Sequence, residues 1–105
     1  MITVYGTPLC KDCLAMKIIF EQLHVQYKYI NITENTKNLK EYMNIREKED
    51  VFKSLKEKGG VGIPYFVDGE RKTFDINVAL SWENLGPVAE EELERITLEC
   101  ELLNK

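Results

Sequence analysis

Apolar and polar residues alternate at the head of the chain, Ile2 and Val4 against Thr3 and Tyr5, in residue types that favour strands. The pattern predicts a first strand over Met1 to Gly6 and a turn over Gly6-Thr7-Pro8-Leu9. From Cys10 the period changes. Cys13, Met16, Phe20 and Leu23 recur at helical spacing and Ile19 widens the stripe, which predicts a helix from close to Cys10 to about His24. Gln26 to Ile32 returns to strand character through Tyr27, Tyr29, Ile30 and Ile32.

The segment from Asn31 to Gly60 is polar and charged and reads as two short helices with a solvated outer face. The first covers about Thr36 to Asn44, with Leu39, Tyr42 and Met43 on its apolar side. The second covers about Asp50 to Lys58, with Asp50 as N-cap, Phe52 and Leu55 facing inward and Gly59-Gly60 ending it. Ile45 to Glu49 joins the two or continues the first. Past Val61-Gly62-Ile63-Pro64, the run Tyr65 to Val67 is a strand. Asp68-Gly69 signals a hairpin turn, and Arg71 to Phe74 returns. A short helix follows from about Asp75, with Val78 and Ala79 or Leu80 inward. Gly86-Pro87 breaks the chain, and Pro87 suits the first position of a last helix, about Val88 to Leu103. Glu90, Glu91 and Glu92 fall where the helix dipole favours negative charge. Ala89, Leu93, Ile96, Cys100 and Leu103 form its buried stripe.

The order is β-α-β, a helical crossover, a β-hairpin, then helices. It predicts one α/β domain over residues 1–105, a mixed four-stranded sheet with helices on both faces. No internal repeat or low-complexity segment interrupts it.

Composition narrows the function classes. A chain of 105 residues can bury one core without disulfide staples. A net charge of -4 argues against nucleic acid as a partner. No apolar run approaches a membrane span, since Lys17 and Glu21 bracket Ile18-Ile19-Phe20. The N-terminus shows no secretory signal pattern, so a cytoplasmic location is expected. There a structural disulfide is disfavoured, and a cysteine pair is reactive or metal-binding.

That pair is Cys10-Lys11-Asp12-Cys13, at a strand-to-helix junction. Disulfide exchange needs a thiolate attacker, a second thiol to resolve the mixed disulfide, and access for substrate. At a helix start Cys10 faces unsatisfied N–H groups and the positive dipole end, which lowers its pKa. Cys13, on the same helical side, should be the more buried. Cys10 is therefore the expected nucleophile and Cys13 the resolving thiol. Lys11 adds a favourable charge and Asp12 opposes it. A zinc site would need two more ligands. The soft candidates are Cys100 and His24, and His24 lies about 15–20 Å away by helical rise, so no metal is assigned within the chain. Cys100, on the buried stripe, reads as a core thiol and Trp82 as a packing residue. Tyr5 reads as a core or sheet residue, with its hydroxyl approaching the site as the alternative. Arg46 and Lys48 read as surface charges within possible reach of a substrate's carboxylates.

With Cys10-Lys11-Asp12-Cys13 and Gly62-Ile63-Pro64 both in view, almost the whole chain resembles a glutaredoxin, within the thioredoxin-like superfamily. The resemblance implies a cis peptide at Pro64 beside the cysteine pair, and a backbone at Ile63 that receives substrate. It also implies glutathione as a co-substrate, with no other cofactor. Two departures bear on that. The lysine often found three residues before the first cysteine falls at Thr7. The Gly-Gly-x-Asp segment after the hairpin falls near Thr73 to Asn77 without its glycine pair; Asp75 keeps part of its role or serves as a helix N-cap. The expected substrate-binding set is Lys11, Ile63, Pro64 and Asp75. The expected function is a monomeric thiol–disulfide oxidoreductase acting on protein or low-molecular-weight disulfides in cell redox homeostasis. The alternatives are a regulatory protein with Cys10/Cys13 as a redox switch, and an iron–sulfur or zinc carrier bridging two chains through Cys10.

Overall fold

The computed structural model describes residues 1–103, apart from the side chain of Leu103. The elements in chain order are β1 (Ile2–Gly6), α1 (Lys11–Gln22), β2 (Tyr27–Asn31), α2 (Thr36–Lys48), a 3-10 turn (Asp50–Phe52), α3 (Lys53–Glu57), β3 (Tyr65–Asp68), β4 (Arg71–Thr73), α4 (Ile76–Ser81) and α5 (Glu90–Leu103). The strands form one sheet in the order β2-β1-β3-β4. β1 and β2 are parallel, with Val4 opposite Tyr29 and Gly6 opposite Asn31. β1–β3 and β3–β4 are antiparallel. The expected mixed four-stranded α/β architecture is the one observed.

Strand alternation sends side chains to opposite faces, and each face carries its own core. On one side Ile2, Val4 and Phe66 pack with Met16, Ile19 and Phe20 of α1, Ala79 and Leu80 of α4, and Ile96 and Cys100 of α5. On the other side Tyr5 and Tyr65 pack with Ile32, Tyr42 of α2 and Phe52. Phe52 is its hub: Tyr42, Tyr65 and Phe74 all meet its ring edge-on.

The boundaries differ from the sequence expectation in instructive ways. Ile45 to Lys48 continue α2 as helix. Within α2 only Tyr42 is buried; Leu39 and Met43, read as inward, are 43% and 42% exposed. Only a narrow strip of the helix is covered, so Tyr42 reaches the core, with Ile45 partly buried beside it. Asp50 caps nothing: it opens the 3-10 turn, and α3 starts behind Phe52 without a side-chain cap. Asp68 is the last residue of β3, and the hairpin loop is Gly69-Glu70, with Gly69 at a φ of 63°. Val78 faces out at 43% exposure, while Ala79 and Leu80 are buried.

Pro87 is not the first residue of α5. Gly86-Pro87 is a cis peptide in the preceding loop, and α5 begins at Glu90. That loop is held by Asn77, whose side chain accepts from the Val88 N–H (2.8 Å) and donates to the Val88 carbonyl (3.2 Å). Ala89 is exposed, and its carbonyl receives the Glu92 and Leu93 N–H groups. The buried stripe of α5 therefore runs through Ile96 and Cys100, with Leu93 half-buried. The side chain of Leu103, its expected last member, lies outside the described residues. Among the described residues, no helix is long and apolar enough to cross a membrane.

Candidate active site

The loop from Gly6 to Cys10 sets the position of the cysteine pair. Thr7 is buried, and its hydroxyl is 2.7 Å from that of Thr33 and accepts from the Leu9 N–H (3.3 Å). The Thr7 carbonyl takes the Cys10 N–H (3.1 Å). The threonine at this position therefore ties the loop down and turns no charge toward solvent. Cys10 is the N-cap of α1, extended at φ -105° and ψ 124°, and its carbonyl accepts the Leu14 N–H. Its sulfur makes no full cap hydrogen bond, but the N–H groups of Asp12 and Cys13 face it. Cys10 is half-buried and Cys13 fully buried; both are free thiols.

The two thiols differ sharply in acidity. Cys10 is lowered to about 6, first because the Cys13 thiol donates a hydrogen bond to it. Burial works against this, the backbone N–H groups of Cys13 and Asp12 help it, and the Asp12 charge opposes it. Cys13 is pushed strongly up, since its proton is held between the sulfurs and it is buried. The hydrogen bond between the two sulfurs leads this split, and the helix N–H groups at Cys10 and the burial of Cys13 widen it. Lys11 is not among the groups that move Cys10. Its ammonium lies 3.6 Å from Glu101 on α5.

Gly6 makes room for the buried thiol. It stands at the inward position that continues Ile2 and Val4. A Cβ there would lie 2.9 Å from the Cys13 sulfur and 2.7 Å from the Tyr29 hydroxyl. Tyr29 brings a second polar group to the pair, and its buried hydroxyl has no hydrogen-bond partner among the described residues. Burial pushes its pKa up, and the neighbouring Cys13 and Cys10 push it further. Lys17 sits 4.6 Å over its ring. Neither Gly6 nor Tyr29 stands out from sequence patterning, because their relation crosses two strands. The available signal was a glycine at an inward strand position just before the cysteines.

The second wall of the site is the Gly62-Ile63-Pro64 loop. Ile63-Pro64 is cis, as the resemblance implied, and Pro64 is buried. Tyr42 fixes the loop from beneath: its hydroxyl hydrogen is shared between the carbonyls of Val61 (2.6 Å) and Gly62 (2.7 Å). Gly62 has a φ of 84°, and a Cβ there would meet the Phe52 ring at 2.8 Å and the Tyr42 hydroxyl at 2.9 Å. Arg46 donates to the Gly60 carbonyl (2.6 Å), so its guanidinium serves this loop.

Asp12, Ile63, Pro64 and Asp75 come together around a cavity of about 300 Å3, which the Cys10–Cys13 segment touches through Asp12 and which neither cysteine lines. Met16, Phe74, Ile76 and Leu93 supply apolar lining. Asp75 is also the N-cap of α4, accepting the Asn77 N–H at 2.8 Å, which is the helix-cap role read for it. Tyr5 does not approach the cysteines. It belongs to the core on the far face of the sheet, with Tyr42 and Tyr65. Cys100 is a core thiol on the near face, its pKa raised by burial. Trp82 packs at the end of α4 with Arg71 5.2 Å over its ring. Among the described residues, no three His, Cys, Asp or Glu side chains gather where they could hold a metal ion.

Residues 2–71 match the glutaredoxin family. The chain belongs to that family. The match spans β1 to the start of β4 and includes the cysteine pair and the cis-proline loop, while α4 and α5 lie beyond it. No curated protein and no solved structure matches this glutaredoxin-family chain.

Proposed function

We propose that this glutaredoxin-family protein is a thiol–disulfide oxidoreductase in which Cys10 attacks and Cys13 resolves. The observation that supports this most is geometric: Cys10 is half-exposed at the N-terminus of α1 and Cys13 is buried behind it, an arrangement that lowers the first thiol's pKa and raises the second's. The Cys10 thiolate attacks a disulfide R–S–S–R′, forming Cys10–S–S–R and releasing R′S⁻. The Cys13 sulfur then attacks the Cys10 sulfur, its proton passes to the departing RS⁻, and the pair is left as a disulfide with RSH released. Two electrons move from the pair to the substrate. A low-molecular-weight thiol or a dithiol reductase returns them. Ile63 presents its backbone to the incoming chain, as in β-strand addition, and Pro64 shapes the wall beside the sulfurs. Asp75 and Lys11 bound the substrate's approach. Protein disulfides and glutathione-type disulfides are the substrate classes.

The test is a redox titration of the reduced protein in glutathione buffers, acid-quenched, alkylated and read by intact mass. A reversible Cys10–Cys13 disulfide or a Cys10 glutathione adduct is the expected product. Cys10→Ser should abolish turnover, and Cys13→Ser should hold a mixed disulfide. Full turnover by Cys10→Ser overturns the reading.

A further inference from the structure

The cavity lined by Asp12, Ile63 and Pro64 does not end at the cis-proline loop. It shares Asp12, Leu93 and Thr97 with a second depression of about 450 Å3 that runs outward between α1 and α5. Together they make one groove from Pro64 to Glu101. Its floor is apolar, and Leu98, 56% exposed, continues it onto the surface. Its rim is acidic, with Asp12, Asp75, Glu94 and Glu101. Lys11 is the only lysine or arginine among the described lining residues, and it is already paired with Glu101. On the outer part of the groove, Lys11 and Asp12 of α1 lie within the family match, and Leu93, Glu94, Thr97, Leu98 and Glu101 of α5 lie beyond it.

We infer that the substrate this groove takes is a protein disulfide whose cysteine lies in a basic segment with apolar side chains, and that anionic mixed disulfides, glutathione's included, react more slowly. This rests on the oxidoreductase reading above and narrows its substrate. An apolar floor longer than the reacting disulfide accepts a run of side chains. A rim whose carboxylates outnumber its one ammonium attracts lysine and arginine during encounter. Glutathione carries a carboxylate at each end and an ammonium only at its γ-glutamyl end, so its net charge is negative and it is favoured less at this rim than a cationic segment. The chemistry is unchanged: the Cys10 thiolate displaces the substrate's leaving thiolate, and the pair is oxidised as the substrate disulfide is reduced.

The experiment uses two peptides with one cysteine each, protected as the 2-thiopyridyl mixed disulfide and flanked by leucines. One carries lysines and arginines, the other glutamates. Thiopyridone release by the reduced full-length chain is followed, and each rate is divided by that peptide's rate with dithiothreitol. The basic peptide should be favoured about tenfold at low salt, the scale of electrostatic steering. The preference should shrink toward parity near 0.5 M salt, where the screening length is only a few ångströms. It should also shrink in Asp75→Asn/Glu94→Gln, in which asparagine keeps the helix cap. Equal normalised rates, or a faster acidic peptide, overturn the inference while leaving the role of Cys10 standing. Release no faster than with Cys10→Ser overturns the oxidoreductase reading itself.

Discussion

Cys10 acidity and its cause can be tested together by alkylation across pH. The thiol sits at about 6 against an ordinary 9.0, and the leading cause is the hydrogen bond from Cys13. At pH 7 it is then about nine-tenths thiolate where an ordinary thiol is about one-hundredth, roughly a 90-fold advantage in reactive form. The more acidic thiolate is the poorer nucleophile. At a Brønsted slope of 0.4–0.5, three units cost about 15- to 30-fold. The net gain at pH 7 is therefore only about 3- to 6-fold. At pH 5 the advantage in thiolate fraction grows to about 900-fold and the net gain to about 30- to 60-fold, while near pH 10 Cys10 should be the slower thiol. The assay is the iodoacetamide rate at Cys10 of the reduced protein from pH 4 to 10, against an unfolded peptide covering Thr7 to Lys11. The rate should rise through a midpoint near pH 6 and stay flat above it, crossing the peptide's rising curve between neutral pH and pH 10. Cys13→Ala should move the midpoint up toward the ordinary thiol value. A wild-type midpoint above about 8, within the range of an ordinary thiol, refutes the geometry. An unmoved midpoint in Cys13→Ala assigns the acidity to the helix N–H groups and refutes the thiol–thiolate bond as its main cause.

Three substitutions test how the site is supported. Gly6→Ala places a methyl against the Cys13 sulfur and the Tyr29 hydroxyl. It should cost about 1–3 kcal/mol in urea unfolding as overpacking and slow formation of the Cys10–Cys13 disulfide; unchanged stability would mean the strands yield freely there. Tyr42→Phe strips the donor shared by the Val61 and Gly62 carbonyls and should cost about 1–3 kcal/mol, with hydrogen exchange rising first in residues 61–64. Protection lost evenly across the chain would argue against a local role. Tyr29→Phe removes a buried hydroxyl without a partner among the described residues and should leave the urea midpoint unchanged or raised. A loss above about 1 kcal/mol, the worth of an ordinary hydrogen bond, would show that the hydroxyl is bonded in solution.

What could be read from the chain followed the range of the interactions involved. Strand alternation and the Cys13-Met16-Phe20 stripe are local, and they placed β1, α1 and the thiol pair before any coordinates. Leu39 and Met43 were misread because periodicity reports a helix's apolar side, not how wide a strip its neighbour covers. Pro87 was misread because a proline before a helix fits either its first turn or the loop before it; the deciding group is Asn77, ten positions upstream. Gly6 and Tyr29 are coupled only through the parallel pairing of β1 with β2. The same reasoning separates the two ends of the site. The thiol end, with Cys10, Cys13 and the cis-proline loop, lies inside the family match and was legible as a motif. The acidic groove is assembled from Asp12 on α1, Asp75 at the head of α4 and Glu94 on α5, which share no motif and meet only after the helices pack. Family membership therefore bears on the proposed chemistry of the thiol pair, and the charge on that groove bears on the proposed choice of substrate.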